Sequence, residues 1–270
     1  QGLLLALGLL AGHAWLGVIF SSLLAVVLIL WAARQWLPPR WALCAGLFGT
    51  LLFTGTTWSL SYWGGAAATV AGALVTGSAG VLRRRPSPIH FALYALGIVL
   101  CANSRPYEGL ILCGAFSAWL LWHILSTRRT AALPYLRASL PALLVLAGGA
   151  LITTTYFKAV TGNPFRMPYQ EAVRQYFAKP VLNIGTHPSQ PAYRHEVLRR
   201  VYTTLGVTKS RPLTSLYYSL RRMQYFYLGE ALFILFPVAI LILRRSRRRA
   251  PIFIAFIGGV AIGFIPFAHP

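Results

Sequence analysis

Aspartate is absent from this chain of 270 residues, and 25 Lys and Arg residues stand against only four acidic residues, all of them Glu. The absence excludes catalytic aspartate pairs and the Asp-rich loops that hold Ca²⁺. Only 11% of the residues are charged, against about 25% in soluble globular domains. Because 57% of the residues are hydrophobic and lie in long runs, the chain is predicted to be a membrane protein.

Cysteine and the common catalytic motifs are scarce as well. Cys44, Cys101 and Cys113 lie in or at the edge of apolar runs without CxxC spacing, so neither a disulfide framework nor a zinc site is predicted. His187 and His195 also lack metal-ligand spacing. The sequence contains no Walker, GxSxG or HExxH motif, which removes the usual signatures of NTPases, serine hydrolases and zinc proteases. We predict no metal site, and a requirement for a divalent cation stays open.

Eight apolar segments come close to the roughly 17–25 residues that a spanning helix needs. They are residues 15–33, 41–60, 64–82, 89–103, 109–125, 139–157, 225–243 and 251–267. The sequence thus predicts an all-α polytopic membrane protein with about eight transmembrane helices. Segment 64–82 is rich in Gly, Ala, Ser and Thr, which let helices approach closely, so we expect it inside the bundle. Segment 2–11 is too short to span, and is interpreted as an interfacial helix or the tail of a truncated one.

The basic residues are distributed unequally among the predicted loops. Alternate loops hold 13 of the 25 Lys and Arg residues, and the positive-inside rule places these loops in the cytoplasm. These residues are Arg34, Arg40, Arg83, Arg84, Arg85, Arg128, Arg129, Arg137, Arg244, Arg245, Arg247, Arg248 and Arg249. Short basic clusters between apolar runs are typical of membrane-protein loops, so nucleic acid is not a predicted partner. The predicted location is the cell (inner) membrane.

This alternation divides the chain into three predicted regions. Residues 1–157 form an N-terminal transmembrane bundle with the short first segment and six spans. Residues 158–224 form a large extracytoplasmic loop region, and residues 225–270 form a C-terminal transmembrane pair.

The first of three candidate segments on the predicted outer side is Asn-Ser-Arg-Pro-Tyr-Glu-Gly at 103–109. Pro106 and Gly109 predict a tight turn between two spans. Arg105 and Glu108 have the spacing of a helical ion pair. Charged groups at membrane depth are costly and mark functional sites, so we expect this pair to face a cavity and touch substrate. The alternative is a tight turn whose Arg meets lipid phosphates.

The other two candidate segments are richer in aromatic residues. In Ser-Tyr-Trp-Gly-Gly at 61–65, the aromatic residues would anchor the chain at the membrane interface or line a site that the glycines leave open. Thr-Gly-Asn-Pro-Phe-Arg-Met-Pro-Tyr at 161–169 begins the long loop, and loops of this length are uncommon unless functional. Its Arg suits phosphate, and its aromatic faces suit sugar rings and prenyl chains. The alternative for the loop is an amphipathic cap on anionic lipid.

Together these three segments resemble GT-C glycosyltransferases of the family 39, protein-mannosyltransferase-like type, as found among bacterial membrane proteins. The resemblance covers nearly the whole chain, and Arg-Pro-Tyr-Glu-Gly at 105–109 is its most specific part. In such enzymes an outside loop with an acidic catalytic residue follows the first helix, and a short interfacial helix precedes the second span. Residues 1–11 are similar to that interfacial helix. This implies that the catalytic carboxylate lies upstream of residue 1.

The resemblance implies a GT-C-like bundle embedded in membrane lipids that uses a polyprenyl-phosphate sugar as donor. It implies transfer of the sugar to a glycan, lipid or protein acceptor on the outer face, and no cofactor beyond the lipid-linked donor. A transporter or flippase of lipid-linked glycans without catalysis is the alternative, and a structural membrane subunit is a third. The residues expected to bind substrate are Asn103, Arg105, Tyr107, Glu108, Tyr62, Trp63, Asn163, Arg166 and Tyr169.

Overall fold

A computed structural model of the chain describes residues 2–55, 62, 65–127, 132–168, 170–171 and 193–204. These residues form eight α-helices, and no β-strand occurs among them. The all-α prediction is confirmed for this part of the chain. The helices are α1 (Gly2–Leu10), α2 (Ala14–Trp36), α3 (Pro39–Gly55), α4 (Gly65–Leu82), α5 (Pro88–Ser104), α6 (Pro106–Thr127), α7 (Ala132–Thr161) and α8 (Glu196–Thr204).

Four of the described helices are long and apolar enough to cross a membrane. Their spanning parts are Ala14–Trp36, Gly65–Leu82, Pro106–Ser126 and Leu133–Thr161, and α5 is a shorter apolar helix. The predicted spans 225–243 and 251–267 lie outside the described residues, as does the end of 41–60. The described part of the chain is therefore that of a helical membrane protein with four candidate spans, not the predicted eight.

Helix α4 is the most enclosed of the candidate spans. Its apolar window is 67% buried, against 28% in α2, 22% in α6 and 11% in α7. Small residues make this enclosure possible, because the ring of Trp31 packs directly on Gly77. A Cβ atom built on Gly80 would likewise lie 2.6 Å from the Cβ of Gln35. The prediction that segment 64–82 lies inside the bundle is confirmed.

Contacts between α2, α4 and α6 show that these three helices run in the same direction. Trp36 at the end of α2 donates from Nε1 to the Thr76 carbonyl in α4 at 2.9 Å. His123, near the end of α6, hydrogen-bonds through Nε2 to the carbonyl of Arg83 at 3.1 Å. The ends of all three helices therefore lie together.

We call this part of the bundle the basic end, because it carries the basic residues of two predicted loops. They are Arg34, Arg40, Arg83, Arg84 and Arg85. Helix α7 starts there too, since Tyr135 donates from its hydroxyl to the carbonyl of Leu82 at 2.7 Å. Helix α5 has 17 residues and leads away from this end, so its last residue lies about 25 Å farther along the bundle.

The first helix lies alongside α2. A Cβ atom on Gly8 would be 2.6 Å from the backbone nitrogen of Gly17, and Gly17 in turn contacts the backbone of Leu4. The two helices are thus antiparallel, and Gly12, with φ +106°, provides the turn between them. Every residue of α1 is apolar. This places α1 along a candidate span rather than across the membrane surface.

Helix α7 differs from its predicted span at the N-terminal side. It begins at Ala132 and not at residue 139, so Arg137, predicted in a loop, lies within the helix. Pro134 does not prevent this, because the first turn of a helix needs no proline N–H. Pro141 lies inside the helix and removes one backbone hydrogen bond. The helix ends at Thr161, where Gly162 adopts φ +74° and donates to the Lys158 carbonyl at 3.0 Å.

The chain divides into two compact units, Gln1–Leu151 and Ile152–Pro270. The first unit contains α1 to α6 and most of α7. The second contains the last turns of α7, the start of the predicted long loop, and α8.

Candidate functional site

Arg105 is the single residue between α5 and α6, and the chain reverses direction there. Its backbone angles, φ −142° and ψ 73°, lie outside the helical region. Its N–H donates to the Cys101 carbonyl at 2.8 Å, and its carbonyl accepts from the Gly109 N–H at 2.7 Å. Pro106 starts α6, a position at which proline is favourable. The predicted tight turn between these helices is confirmed.

The side chains of Arg105 and Glu108 form an ion pair at this junction. Arg105 Nη1 donates to Glu108 Oε1 at 3.2 Å, and the two side chains are 43% and 33% exposed. Glu108 lies in the first turn of α6, where the helix dipole favours negative charge. A solvent-exposed pair of this kind contributes only about 0.2–0.5 kcal/mol. The predicted pairing is confirmed, but it is too weak to hold the helices together.

Close helix packing holds the junction instead. A Cβ atom on Gly109 would lie 2.8 Å from the Cβ of Cys101. Cys101 in α5 and Cys113, one helical turn beyond Gly109 in α6, are both buried. Farther along, the hydroxyls of Tyr94 and Ser117 lie 2.9 Å apart. Arg105 and Glu108 can therefore be replaced without removing the contacts that define the hairpin.

The remaining predicted residues of this segment frame the ion pair. Asn103 is exposed, and its amide Nδ2 donates to the Val99 carbonyl at 2.9 Å. Tyr107 is half-buried in the first turn of α6. Asn103 and Tyr107 thus lie with Arg105 and Glu108 within one helix junction.

The start of α4, which follows the Tyr-Trp segment in the sequence, lies at the same end of the bundle. Helix α4 is parallel to α6 and begins at Gly65, so its start lies at the end that carries the Arg105 junction. Tyr62, just before α4, is 59% exposed. Trp63 lies outside the described residues.

In the second unit, the chain after α7 folds into a turn around Asn163. Asn163 Oδ1 accepts a hydrogen bond from the Phe165 N–H at 2.9 Å, which is an Asx turn. The Asn163 N–H donates to Thr161 Oγ1 at 3.3 Å. Phe165 is 85% exposed at the tip of the turn. Asn163 is exposed, and its side chain also stabilises the backbone turn of this segment.

Arg166 forms a second ion pair that sequence reasoning missed. Its Nη1 donates to Glu171 Oε2 at 3.3 Å, with side chains 42% and 27% exposed. The two residues are five positions apart, which is not a helical pair spacing, so the sequence contained no signal for this contact. Tyr169, predicted to bind substrate with Arg166, lies outside the described residues. The Arg105 pair belongs to the first unit and the Arg166 pair to the second.

An aromatic cluster at the basic end was also missed. The Arg83 guanidinium lies 4.7 Å from the ring centroid of Trp36, a cation–π contact. Trp36 in turn packs against Trp119 with centroids 5.3 Å apart, and Trp119 stacks on His123 at 5.7 Å. The sequence analysis counted Arg83 only as a loop charge. No spacing rule connects it with Trp36, because the contact depends on how α2 and α4 pack.

The Arg105 junction has the chemistry of an anion-binding site. A guanidinium has five N–H donors in a planar fork, and the structure engages Nη1 of Arg105 with Glu108. The fork suits phosphate oxygens in a bidentate arrangement. The Glu108 carboxylate can accept a hydrogen bond from a hydroxyl group. Among the described residues, no group of three or more His, Cys, Asp or Glu could hold a metal ion.

Comparisons with known proteins identify no relative of this chain. No protein-family model, curated protein or solved structure matches the chain. The family resemblance drawn from segments 61–65, 103–109 and 161–169 therefore stays a prediction.

Proposed function

We propose that this chain is the binding scaffold of a GT-C-like membrane glycosyltransferase. It transfers a sugar from a polyprenyl-phosphate donor to an acceptor on the outer face of the membrane. The observation that carries the proposal is the Arg105–Glu108 pair, which lies at a turn between two apolar helices, away from the basic end. Because both side chains are partly exposed at a helix end, they are accessible to a charged ligand or partner at the membrane interface.

The donor phosphate is the group that Arg105 is proposed to bind. A polyprenyl-phosphate sugar places its anionic group at the membrane interface, with its chain among the lipid tails. Arg105 lies at a helix end, where an interfacial phosphate would be within reach, and its side chain is 43% exposed. In the transferase the departing phosphate gains charge as the glycosidic bond breaks, so a fixed guanidinium would stabilise the transition state.

Glu108 is proposed to position the acceptor hydroxyl. Inverting transfer needs a carboxylate base to take the proton of that hydroxyl. The Glu108 carboxylate already accepts from Arg105, so we assign it orientation and not proton abstraction. The base is assigned to no residue of this chain.

The proposed topology places the site on the outer face. The basic end would face the cytoplasm by the positive-inside rule, which puts the Arg105 junction and the start of α4 outside. Asn163 and Arg166, which belong to the second unit, stay predicted substrate-binding residues.

Sugar transfer in membranes tests this proposal. The protein that carries this chain would be expressed and supplied with radiolabelled polyprenyl-phosphate sugars, and new glycosidic bonds would be measured on extracted lipid, glycan and protein. We expect Arg105→Ala to abolish most transfer and Arg105→Lys to recover part of it, because lysine keeps the charge but loses the bidentate fork. Glu108→Gln should raise the KM for the acceptor more than that for the donor.

Arg85→Gln is the matched control, because Arg85 is an exposed arginine at the basic end and should leave transfer unchanged. If Arg105→Ala transfers as well as the unmodified protein, the site assignment is wrong. If the protein moves labelled donor across sealed vesicles and forms no glycosidic bond, it is a transporter of lipid-linked glycans and not a transferase.

A further inference from the structure

Helix α8, Glu196–Thr204, has two chemically distinct faces. At about 100° per residue, Val197, Leu198 and Val201 fall on one side. Glu196 lies at the middle of the opposite side. Such segregation is typical of a helix at a boundary between water and an apolar medium.

The apolar side of α8 is exposed in the structure. Val197 is 72% exposed, Val201 43% and Leu198 37%. A helix of nine residues is also too short to be stable by itself in water. The helix therefore needs a surface that covers these three side chains.

The charges around the apolar side indicate what that surface is. Arg200 lies at one flank of the apolar side, Arg199 lies on the polar side together with Glu196, and Arg194 precedes the helix. Glu196 holds Arg199 in a two-point contact, with both N···O distances 2.6 Å, and reaches Arg200 at 3.2 Å. Three arginines against one acid, next to an exposed apolar side, match the anionic phosphates above a helix that lies in the membrane interface.

We propose that α8 is a membrane-surface helix that binds anionic lipid. Val197, Leu198 and Val201 insert among the acyl chains next to the headgroups, and Arg200 at the flank of the apolar side contacts a lipid phosphate. A bilayer is available to this helix, because the same chain has four described helices that are long and apolar enough to span one. The net positive charge of the segment selects anionic over neutral headgroups. This inference is independent of any sugar transfer.

Site-directed spin labelling of the full chain tests the proposal. Cys44, Cys101 and Cys113 would first be replaced by alanine, and single cysteines would then be placed at Val197, Val201 or, as the matched polar-side control, Glu196. Each labelled protein would be reconstituted in vesicles of phosphatidylcholine alone and of phosphatidylcholine with phosphatidylglycerol. The accessibility of the nitroxide to oxygen, which concentrates in lipid, and to a water-soluble nickel chelate would be measured.

With phosphatidylglycerol present, we expect labels at 197 and 201 to become accessible to oxygen and protected from nickel, while the label at 196 stays accessible to nickel. In pure phosphatidylcholine, or at high salt, the protection at 197 and 201 should decrease several-fold, because screening weakens the attraction to phosphate. Equal nickel accessibility at all three positions in both vesicles would overturn the proposal. Shielding of 197 and 201 from both reagents would also overturn it, since protein would then cover the helix.

Discussion

Gly109 and Cys101 pack so closely that a Cβ atom built on Gly109 would lie 2.8 Å from the Cys101 Cβ and 3.1 Å from its carbonyl carbon. The second atom belongs to the backbone of α5 and cannot rotate away. The first turn of α6 is therefore seated against the last turn of α5, directly behind the Arg105–Glu108 pair. This glycine sets the geometry of the candidate site.

Replacement of Gly109 by alanine should destabilise the protein. The added methyl group overpacks the junction, at a cost of about 1–3 kcal/mol, although alanine recovers up to about 1 kcal/mol of helix propensity. Gly114→Ala is the matched control in the same helix, since a Cβ there meets nothing within 4 Å. Unfolding midpoints in one detergent would be compared. Equal midpoints for the two variants would contradict the close approach.

The thiols of Cys101 and Cys113 should form a disulfide under oxidation. Both are free and buried, and the close packing of Gly109 on Cys101 brings the next turn of α6, with Cys113, to the same face of α5. Treatment with copper phenanthroline, in which copper and oxygen accept the two electrons and water takes the protons, should remove two hydrogens from the protein mass. Peptide mapping would locate the link, and Cys101→Ser is the control. A link from Cys101 to the exposed Cys44, or none at all, would contradict this hairpin.

Much of the bundle could be predicted because helices that span a bilayer need long apolar runs, which are visible in the sequence. Long apolar runs indicated where the helices lie in the sequence. The small residues of 64–82 correctly indicated that α4 is enclosed by other helices. The Arg-Pro step at 105–106 correctly indicated the turn, because proline and the residue before it interrupt a helix. These features follow from local chemistry, which a sequence displays directly.

The rest depended on contacts between distant residues. Arg137 was placed in a loop because the predicted span began only at residue 139, although Pro134 is compatible with a first helical turn. The Arg166–Glu171 and Trp36–Arg83 contacts arise from a turn geometry and from helix packing, which no spacing rule encodes. The amphipathic pattern of α8 was readable, but the amphipathic cap was considered only as an alternative for the whole loop and was not assigned to these residues.

Replacement of Gly149 by alanine should destabilise the protein, whereas replacement of its neighbour Gly148 by alanine should have little effect. A Cβ on Gly149 would lie 2.5 Å from Val99 Cγ2, whereas one on Gly148 meets nothing within 4 Å. Valine is stiff at χ1 and cannot easily turn away, so we expect Gly149→Ala to lower stability by about 1–3 kcal/mol. Adding Val99→Ala should restore part of the loss in thermal unfolding. If both alanine variants unfold at the same temperature, α7 does not pack on α5 at this point.

Trp36→Phe should loosen the basic end. Phenylalanine keeps the ring but loses the hydrogen bond to the Thr76 carbonyl and weakens the contact with Arg83. The expected loss is about 1–2 kcal/mol, from one hydrogen bond and one cation–π contact. Trp122→Phe, at a position 65% exposed, should have little effect. In a double-mutant cycle, Arg83→Gln should cost less in the Trp36→Phe background than alone, and additive effects would refute the coupling.

Acidification should weaken helix α8 through Glu196. Hydrogen bonds from Arg199 and then Arg200 hold the pKa of the Glu196 carboxyl below its ordinary value of 4.5. A lowered pKa means that the ion pairs stabilise the helix fully above pH 4.5 and lose this effect as the pH falls through the lowered value. In neutral detergent, amide hydrogen exchange of the peptide that contains α8 should be slower in the unmodified protein than in Glu196→Gln at neutral pH. This difference, corrected for intrinsic rates, should vanish in acid, while Arg194→Gln should behave like the unmodified protein. A difference that persists unchanged to the lowest pH would show that the Glu196 carboxylate is not what stabilises this helix.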